Sequence, residues 1–279
     1  MTTEIVLMWV ALTCYVVATA LFIFGVTFTK DTLVRRAVGA SALGLVPQIA
    51  ALAIRWVRVG HGPYIGYYEV TNGLVLFVVA VFVLVAWRNR RLSAVGVGIM
   101  PVAVLLLGGA MLAPKGGLPL TPNLASYWLF IHVAFANLAF AAFVASFGLA
   151  IAYIVRKRSA NGTWARRLAK LPAQEVLSEL TTRFVLAGFL FWGAMIVSGA
   201  IWANQAWGRY WGWDPIETWS LIVWVIYAIY LHLRFTRGWQ GERLAWFAVI
   251  AMPVSLFALL GTPIVFNSIH GGYIGGKDG

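Results

Sequence analysis

The sequence predicts an all-α, polytopic membrane protein with about eight transmembrane helices, and three observations support this fold class. The chain is 61% hydrophobic and only 11% charged, a composition far from that of soluble globular domains. Eight of its apolar runs have about the 20 residues that a helix needs to cross a bilayer. The basic residues gather in alternate connecting segments, as the positive-inside rule requires of a polytopic protein.

Taken in order, the expected spans cover residues 5–28, 37–57, 71–87, 93–113, 127–155, 183–204, 217–235 and 244–264. Pro101 and Pro253 fall inside the fourth and eighth runs, where neighbouring helices can satisfy the carbonyl groups that a proline frees. No internal repeat or second soluble domain is apparent in the pattern, so residues 1–279 are expected to form one membrane domain. The lone Cys14 lies in the first run, and a single cysteine excludes dithiol chemistry by this chain alone.

The charge distribution predicts the orientation of these spans. The segments after spans one, three, five and seven hold 16 basic and four acidic residues, while the other side holds five of each. The net charge of +12 therefore belongs to one side, which the positive-inside rule assigns to the cytoplasm, so both termini face outwards. Because this charge is spread over loops, nucleic-acid binding is not expected. In the positively charged connection between spans five and six, segment 160–182 predicts an amphipathic helix lying on the cytoplasmic leaflet and contacting lipid.

A Trp-rich outer loop, residues 205–217, connects spans six and seven. Its tryptophans, Trp207, Trp211 and Trp213, each carry roughly 150–250 Å² of apolar surface that must pack on lipid, protein or a ligand. The same loop ends in Asp214-Pro-Ile-Glu217, which matches a capping box with Asp at the N-cap and Glu at the third helical position. Capping is therefore the expected main role of Asp214, and it would hold the loop against the seventh span.

Two histidines flank this aromatic loop on the outer side. His132 lies about one and a half turns into the fifth span, and His270 follows the eighth. A satisfied core histidine is the simpler interpretation of His132 alone, but two imidazoles can supply both axial ligands of a haem iron. Flat rings can cover a porphyrin, and Arg209, with Arg55 and Arg58, lies on the side where the propionates would be paired. The clustering predicts a haem site.

The remaining two histidines have different settings. His232 lies about 22 Å from the outer end of the seventh span, at 1.5 Å per residue. An ionisable group inside a membrane is a functional candidate, yet a histidine at a helix end can also cap the helix or extend its ring to the interface, so both roles stay open. His61, in a Gly-His-Gly-Pro sequence, is most simply a turn residue.

The stretch from Trp207 to Trp219 closely resembles the Trp-rich "WWD" signature of haem-handling proteins. Its continuation, Trp224 to Arg234, resembles the CcsA (ResC) family of System II cytochrome c biogenesis. Weaker similarity covers residues 127–133, 55–69 and 267–270. Ile216 stands where this family often has Lys, and Gly271-Gly-Tyr273 replaces a more usual Ser-Tyr ending.

The resemblance implies a haem-binding membrane subunit of a cytochrome c synthase. Such a subunit presents haem b on the outer face for covalent attachment to Cys-x-x-Cys-His apocytochromes. His132 and His270 match the family's proposed axial ligands, His232 matches its in-membrane transit ligand, and the Trp loop matches its haem platform. A CcsB (ResB)-like membrane partner is also implied, in a bacterial cytoplasmic or thylakoid membrane.

Two alternatives remain open. The first is a haem-binding regulatory or scaffold protein that has no attachment activity. The second is a haem-free transporter with a Trp-lined entrance, but the spans hold few ionisable groups to couple transport to ions.

Overall fold

The computed structural model describes residues 2–116, 120–158 and 171–270. Across these ranges the chain is helical, contains no strand, and has eight helices long and apolar enough to cross a membrane, so the predicted fold class is confirmed. The long helices are α1 (Thr3–Thr27), α2 (Asp31–Val59), α3 (Tyr67–Arg88), α4 (Gly96–Leu112), α5 (Tyr127–Arg158), α6 (Gln174–Trp207), α7 (Pro215–Phe235) and α8 (Glu242–Leu256). A 3₁₀ helix, Arg90–Val95, leads into α4, and a π-helical turn, Phe257–Gly261, joins α8 to the short α9, Thr262–Val265.

Helix α6 begins earlier than the sequence pattern suggests. Of the expected surface helix over 160–182, residues 160–170 lie outside the described residues, and residues from Gln174 onward are continuous with α6. The physical reason is a buried stripe at helical spacing, Leu177, Thr181, Val185 and Gly188, which passes without interruption from the terminal turns into the span.

Helix α5 lies at the centre of the bundle: 78% of the residues in its most apolar 18-residue stretch are buried. Small side chains let neighbouring helices approach it closely. A Cβ atom on Gly188 of α6 would lie 2.3 Å from the ring of Phe143, so only glycine fits there. The Phe143 ring in turn stacks on Tyr227 of α7 with 3.7 Å between ring centroids. This contact fixes α6 and α7 against one side of α5.

The two ends of the bundle differ in composition. We call the end that carries Trp207–Trp213 the aromatic end. The opposite end, which carries the connections after α1, α3, α5 and α7, is the basic end. His132, His61 and His270 lie at the aromatic end, and His232 lies in the last turn of α7 at the basic end.

Candidate functional site

A mainly apolar cavity of about 130 Å³ lies at the aromatic end, between α3, α5, α6, α7 and the segment after α9. His132 and His270, the two histidines that the sequence paired, both line it. Trp211 and Glu217 from the loop and the start of α7 complete the wall, together with Leu129 and other apolar residues. The structure therefore brings together the central pair of the predicted site.

The orientation of His132 is set by helix α6. Its Nδ1 atom lies 2.8 Å from the carbonyl oxygen of Met195. Because a carbonyl only accepts, Nδ1 carries the proton and Nε2 keeps its lone pair. Close approach depends on Gly199, where a Cβ atom would lie 2.6 Å from Nδ1 of His132. Glycine at this position thus allows the imidazole to lie directly against α6.

His270 is held by the carboxylate that begins α7. Its Nδ1 atom lies 3.1 Å from Oδ1 of Asp214. The hydroxyl of Ser268 donates to the same oxygen over 2.7 Å, and the backbone N–H of Ile269 donates to Oδ2 over 3.0 Å. With Nδ1 directed at a carboxylate, Nε2 of His270 is again the ring nitrogen left for a ligand. A second partner on the opposite nitrogen is the usual arrangement for a histidine that binds a metal.

The predicted capping box is present at the start of α7. Asp214 accepts a 3.0 Å hydrogen bond from the N–H of Ile216, while Oε2 of Glu217 accepts from the N–H groups of Asp214 and Gly212. The other oxygen of Glu217, Oε1, is buried and has no hydrogen-bond partner among the described residues. Sequence reasoning assigned Glu217 to capping alone, so only the structure revealed that this residue also lines the cavity and keeps one oxygen without a partner among the described residues.

Asp214 remains ionised in this setting. Burial raises the pKa of its carboxyl group, but hydrogen bonds from His270, Ser268 and the backbone N–H groups of Ile216 and Ile269 outweigh burial. Together they hold the pKa of Asp214 well below its usual range. The carboxylate therefore serves two structures at once, capping α7 and orienting the imidazole of His270.

Trp202 is a site residue that sequence reasoning missed. It is only 3% exposed, and its ring centroid lies 6.4 Å from that of His132 and 5.8 Å from that of His270. Its indole N–H donates to the carbonyl of Asn123, which fixes the ring. The available signal was its spacing: Trp202 follows Gly199 by three residues and so shares a helix face with it.

The three predicted tryptophans occupy different positions. Trp207 meets the His270 ring edge-on at a centroid distance of 4.8 Å, and Trp211 lines the cavity. Trp213 does not line the cavity: it is 69% exposed, has a φ of 58°, and packs edge-on against Trp211. Arg209 is exposed outside the cavity, with its guanidinium packed over Gly212. The tryptophan rings at or beside the cavity therefore include Trp202 in addition to Trp207 and Trp211.

The expectation that Arg55 pairs with a ligand carboxylate is wrong. Arg55 is 1% exposed and donates to Glu69 over 2.5 Å and to Glu4 over 3.1 Å, so its charge is already neutralised inside the protein. Arg58 pairs with the second oxygen of Glu4 over 2.7 Å. We call Glu4, Arg55, Arg58 and Glu69 the Arg55 cluster; it joins the start of α1, the end of α2 and the start of α3.

The other two histidines lie away from the cavity. The side chain of His232 is exposed on the bundle surface and makes no hydrogen bond with the described residues. Its backbone carbonyl closes α7 by accepting from Thr236 and Arg237. His61 is buried beside the Arg55 cluster, with Nδ1 2.8 Å from the carbonyl of Gly62.

The cavity offers two imidazole nitrogens to a metal, and Glu217 adds one carboxylate to its lining. No group of three or more His, Cys, Asp or Glu side chains arranged for a metal ion occurs in the described part of the chain. A planar complex that brings its own equatorial ligands matches this donor set. The aromatic loop forms the outer wall of this cavity through Tyr210 and Trp211.

These features define an all-helical, polytopic membrane protein with a paired-histidine aromatic pocket at one end. Comparison with known proteins agrees with this class and narrows it. The chain belongs to the cytochrome c assembly protein family, whose pattern matches residues 64–270, and within it to the CcsA group. It is therefore a membrane protein of cytochrome c biogenesis.

The relatives cover most of the chain. It is 32% identical to the cytochrome c biogenesis protein CcsA of Gloeobacter violaceus, over 96% of this chain and 95% of that protein. It is 34% identical to the protein of the same name from a Synechococcus species, over 79% of this chain and 81% of that protein. It is 35% identical to the one from Prochlorococcus marinus, over 84% of this chain and 82% of that protein. A solved structure titled cytochrome c haem lyase CcmF shares the fold, with a TM-score of 0.70 at 20% identity. The match covers 98% of this chain and 48% of that one.

Proposed function

We propose that this chain is the haem-binding membrane subunit of a cytochrome c synthase. It presents haem b at the aromatic end for covalent attachment to Cys-x-x-Cys-His apocytochromes. The observation that carries the proposal is the pairing of His132 and His270: each directs Nδ1 to a fixed acceptor, and each leaves Nε2 for a ligand at one apolar cavity.

In this proposal the protein positions its haem substrate and excludes water from it. His132 and His270 bind the iron, and Trp202, Trp207 and Trp211 contact the porphyrin. Each cysteine S–H of the apocytochrome adds across one vinyl C=C bond to form a thioether, so no atom leaves and the protein need supply no group. Its contribution is orientation and protection of the substrate.

The edge of the bound haem needs partners for its two propionates. Arg55 is already neutralised by Glu4 and Glu69. We therefore assign the pairing with a haem propionate to Arg209. It is exposed, and it directly precedes Tyr210 and Trp211, which line the cavity. Arginine suits the role because its planar fork binds a carboxylate through two hydrogen bonds.

We further propose that a CcsB (ResB)-like membrane protein packs against the basic half of α7. The exposed ring of His232 in this region supports that choice, because an imidazole facing lipid is costly and a partner would cover it. His232 then serves as the transit ligand for haem before it reaches the aromatic end. In this assignment the aromatic end faces the outside of a bacterial cytoplasmic membrane, or the equivalent side of a thylakoid membrane.

The ligand assignment is tested by purifying the chain with its partner and recording the haem Soret band. We expect a low-spin, bis-imidazole spectrum in the wild type and its loss in His132→Ala/His270→Ala, with partial recovery on adding imidazole. His61→Gln is the matched control, because it removes a histidine from the same end but outside the cavity. A Soret band of unchanged position and intensity in the double variant would refute the assignment.

Attachment activity is tested separately by deleting the gene and staining for covalently bound haem. We expect c-type cytochromes to disappear and to return with the wild-type gene. Their persistence would instead support a haem-binding regulatory or scaffold role without attachment.

A further inference from the structure

A second cavity, of about 610 Å³, lies at the basic end of the bundle. It opens between the α1–α2 turn, the 3₁₀ helix before α4, the end of α5 and the residues just before α6. Four arginines line it: Arg35, Arg90, Arg91 and Arg156. Asp31 is the one acidic residue among the described lining residues.

The positive charge of this cavity is largely uncompensated within the described chain. Arg35, Arg90 and Arg91 form no ion pair with any described carboxylate. Arg156 donates to the backbone carbonyls of Leu171 and Pro172, which are neutral. Like charges brought together around one space repel each other, so an anion bound between them stabilises the arrangement.

Backbone contacts define the two segments that carry Arg35, Arg90 and Arg91. In the α1–α2 turn, the N–H of Lys30 donates to the carbonyl of Gly25 over 2.9 Å, and Thr29 adopts a left-handed φ of 54°. A Cβ atom on Gly25 would lie 2.8 Å from the Val34 side chain, so the turn is closely packed. On the opposite wall, the side chain of Asn89 accepts from the N–H of Arg91 and caps the 3₁₀ helix. The cavity is thus formed by ordered segments.

Part of the remaining wall is apolar, beside the polar residues Thr29, Asp31 and Ser93, and the cavity lies at the membrane boundary. Val26, Val34, Ala94 and Leu171 line the cavity beside the arginines. The arginines come from the ends of membrane-spanning helices or their flanking turns, which is the depth of lipid headgroups. A ligand that fits both walls carries a phosphate, which guanidinium groups bind through paired hydrogen bonds, and an apolar part.

We propose that this cavity is a binding site for the phosphate headgroup of an anionic phospholipid. Basic pockets between membrane helices on the positively charged side commonly bind such headgroups. Phosphatidylglycerol, with one phosphate and two acyl chains, has the required chemistry. The site is independent of the haem proposal, since it lies at the opposite end of the bundle.

The test uses full-length protein in nanodiscs of equal phosphatidylglycerol and phosphatidylcholine, followed by native mass spectrometry of the retained lipid. In Arg35→Gln/Arg91→Gln we expect retained phosphatidylglycerol to fall roughly tenfold or more, because each lost guanidinium removes charge-assisted hydrogen bonds to the phosphate in the cavity. The matched control is Arg36→Gln/Arg88→Gln, which removes the same charge from the same end at positions outside the cavity, and it should retain wild-type amounts. Equal retention in both double variants would overturn the proposal.

Two further experiments distinguish loss of binding from misfolding, and a lipid phosphate from a soluble one. Arg35→Lys/Arg91→Lys keeps the charge but not the paired hydrogen bonds, and we expect intermediate retention at unchanged monodispersity. Inorganic phosphate is added to wild-type protein in phosphatidylcholine nanodiscs and observed by ³¹P NMR. Arginine-dependent broadening of the free phosphate signal without selective retention of phosphatidylglycerol would assign the cavity to a soluble phosphate and overturn the lipid assignment.

Discussion

The Nδ1 atom of His270 lies 3.1 Å from Oδ1 of Asp214, a residue 56 positions earlier in the chain. This contact joins the segment after α9 to the N-terminal cap of α7. Asp214 is at the same time the cap residue, so the helix start and the orientation of the imidazole depend on one carboxylate. Two substitutions at this position can separate these roles.

We expect Asp214→Ser to retain the cap of α7, since serine is a good N-cap residue, but to lose the carboxylate that orients His270. Haem affinity should fall by about 10–100-fold, the usual effect of removing the partner of a ligating histidine. Asp214→Ala should also lose about 1 kcal/mol of stability with the cap. Haem titration and thermal denaturation in detergent measure the two effects. If Asp214→Ser bound haem as tightly as the wild type, the orienting role of Asp214 would be disproved.

The same carboxylate predicts a pH dependence. Because the folded protein lowers the pKa of Asp214, its stabilising contribution is complete above the ordinary carboxyl pKa, near 4. The contribution is lost as the pH falls below that value towards the folded-state pKa. We expect the stability difference between wild type and Asp214→Ser to be constant from about pH 8 to 5 and to shrink below about pH 4. Unfolding of both proteins is monitored by tryptophan fluorescence. A stability difference that stayed constant down to pH 3 would contradict this linkage.

Gly199 gives a test of the His132 position. An added Cβ atom would lie 2.6 Å from Nδ1 of His132, so Gly199→Ala must displace the ring from the Met195 carbonyl. We expect a loss of about 1–3 kcal/mol in stability, as for other overpacked sites, and a shift or loss of the Soret band. Gly108→Ala is the control, because no atom lies within 4 Å of a Cβ there. Identical spectra for the two variants would show that Gly199 does not set the ring position.

The Arg55 cluster predicts a large effect on stability and a small one on haem affinity. Arg55→Met leaves Glu4 and Glu69 as buried charges without their main partner, which costs about 3–5 kcal/mol. Arg58→Gln, at a side chain 46% exposed, should cost under about 1 kcal/mol. Thermal midpoints measure both costs. The haem dissociation constant of Arg55→Met should be unchanged at a temperature where the variant remains folded. A change would mean that Arg55 pairs with a haem propionate after all.

Several features could be predicted from short stretches of sequence. The eight spans follow from runs of apolar residues, and the capping box follows from two residues three positions apart. Both are local: a helix of suitable length and polarity satisfies its own backbone in a membrane, whatever its neighbours. The charge asymmetry can also be predicted from the sequence, whereas the side of the membrane on which the aromatic end lies stays a prediction.

The site shows where such local reasoning ends. Trp213 and Arg209 belong to the same loop as Trp211, yet only Trp211 lines the cavity. Trp202 was missed because one tryptophan in an apolar helix resembles any other lipid-facing or core residue. Whether a side chain faces the cavity depends on the rotation of α6 and on the loop dihedral angles, including the positive φ of Trp213.

The amino-acid sequence thus determined the eight-span, all-helical architecture, the segregation of positive charge and the start of α7, because composition and spacing within one segment govern these features. The tertiary structure determined that His132 and His270 share a cavity, that Arg55 is neutralised internally and that four arginines converge at the basic end. These facts depend on contacts between residues far apart in the chain, such as His132 with Met195, 63 positions away. Only the packing of helices around α5 brings such residues together.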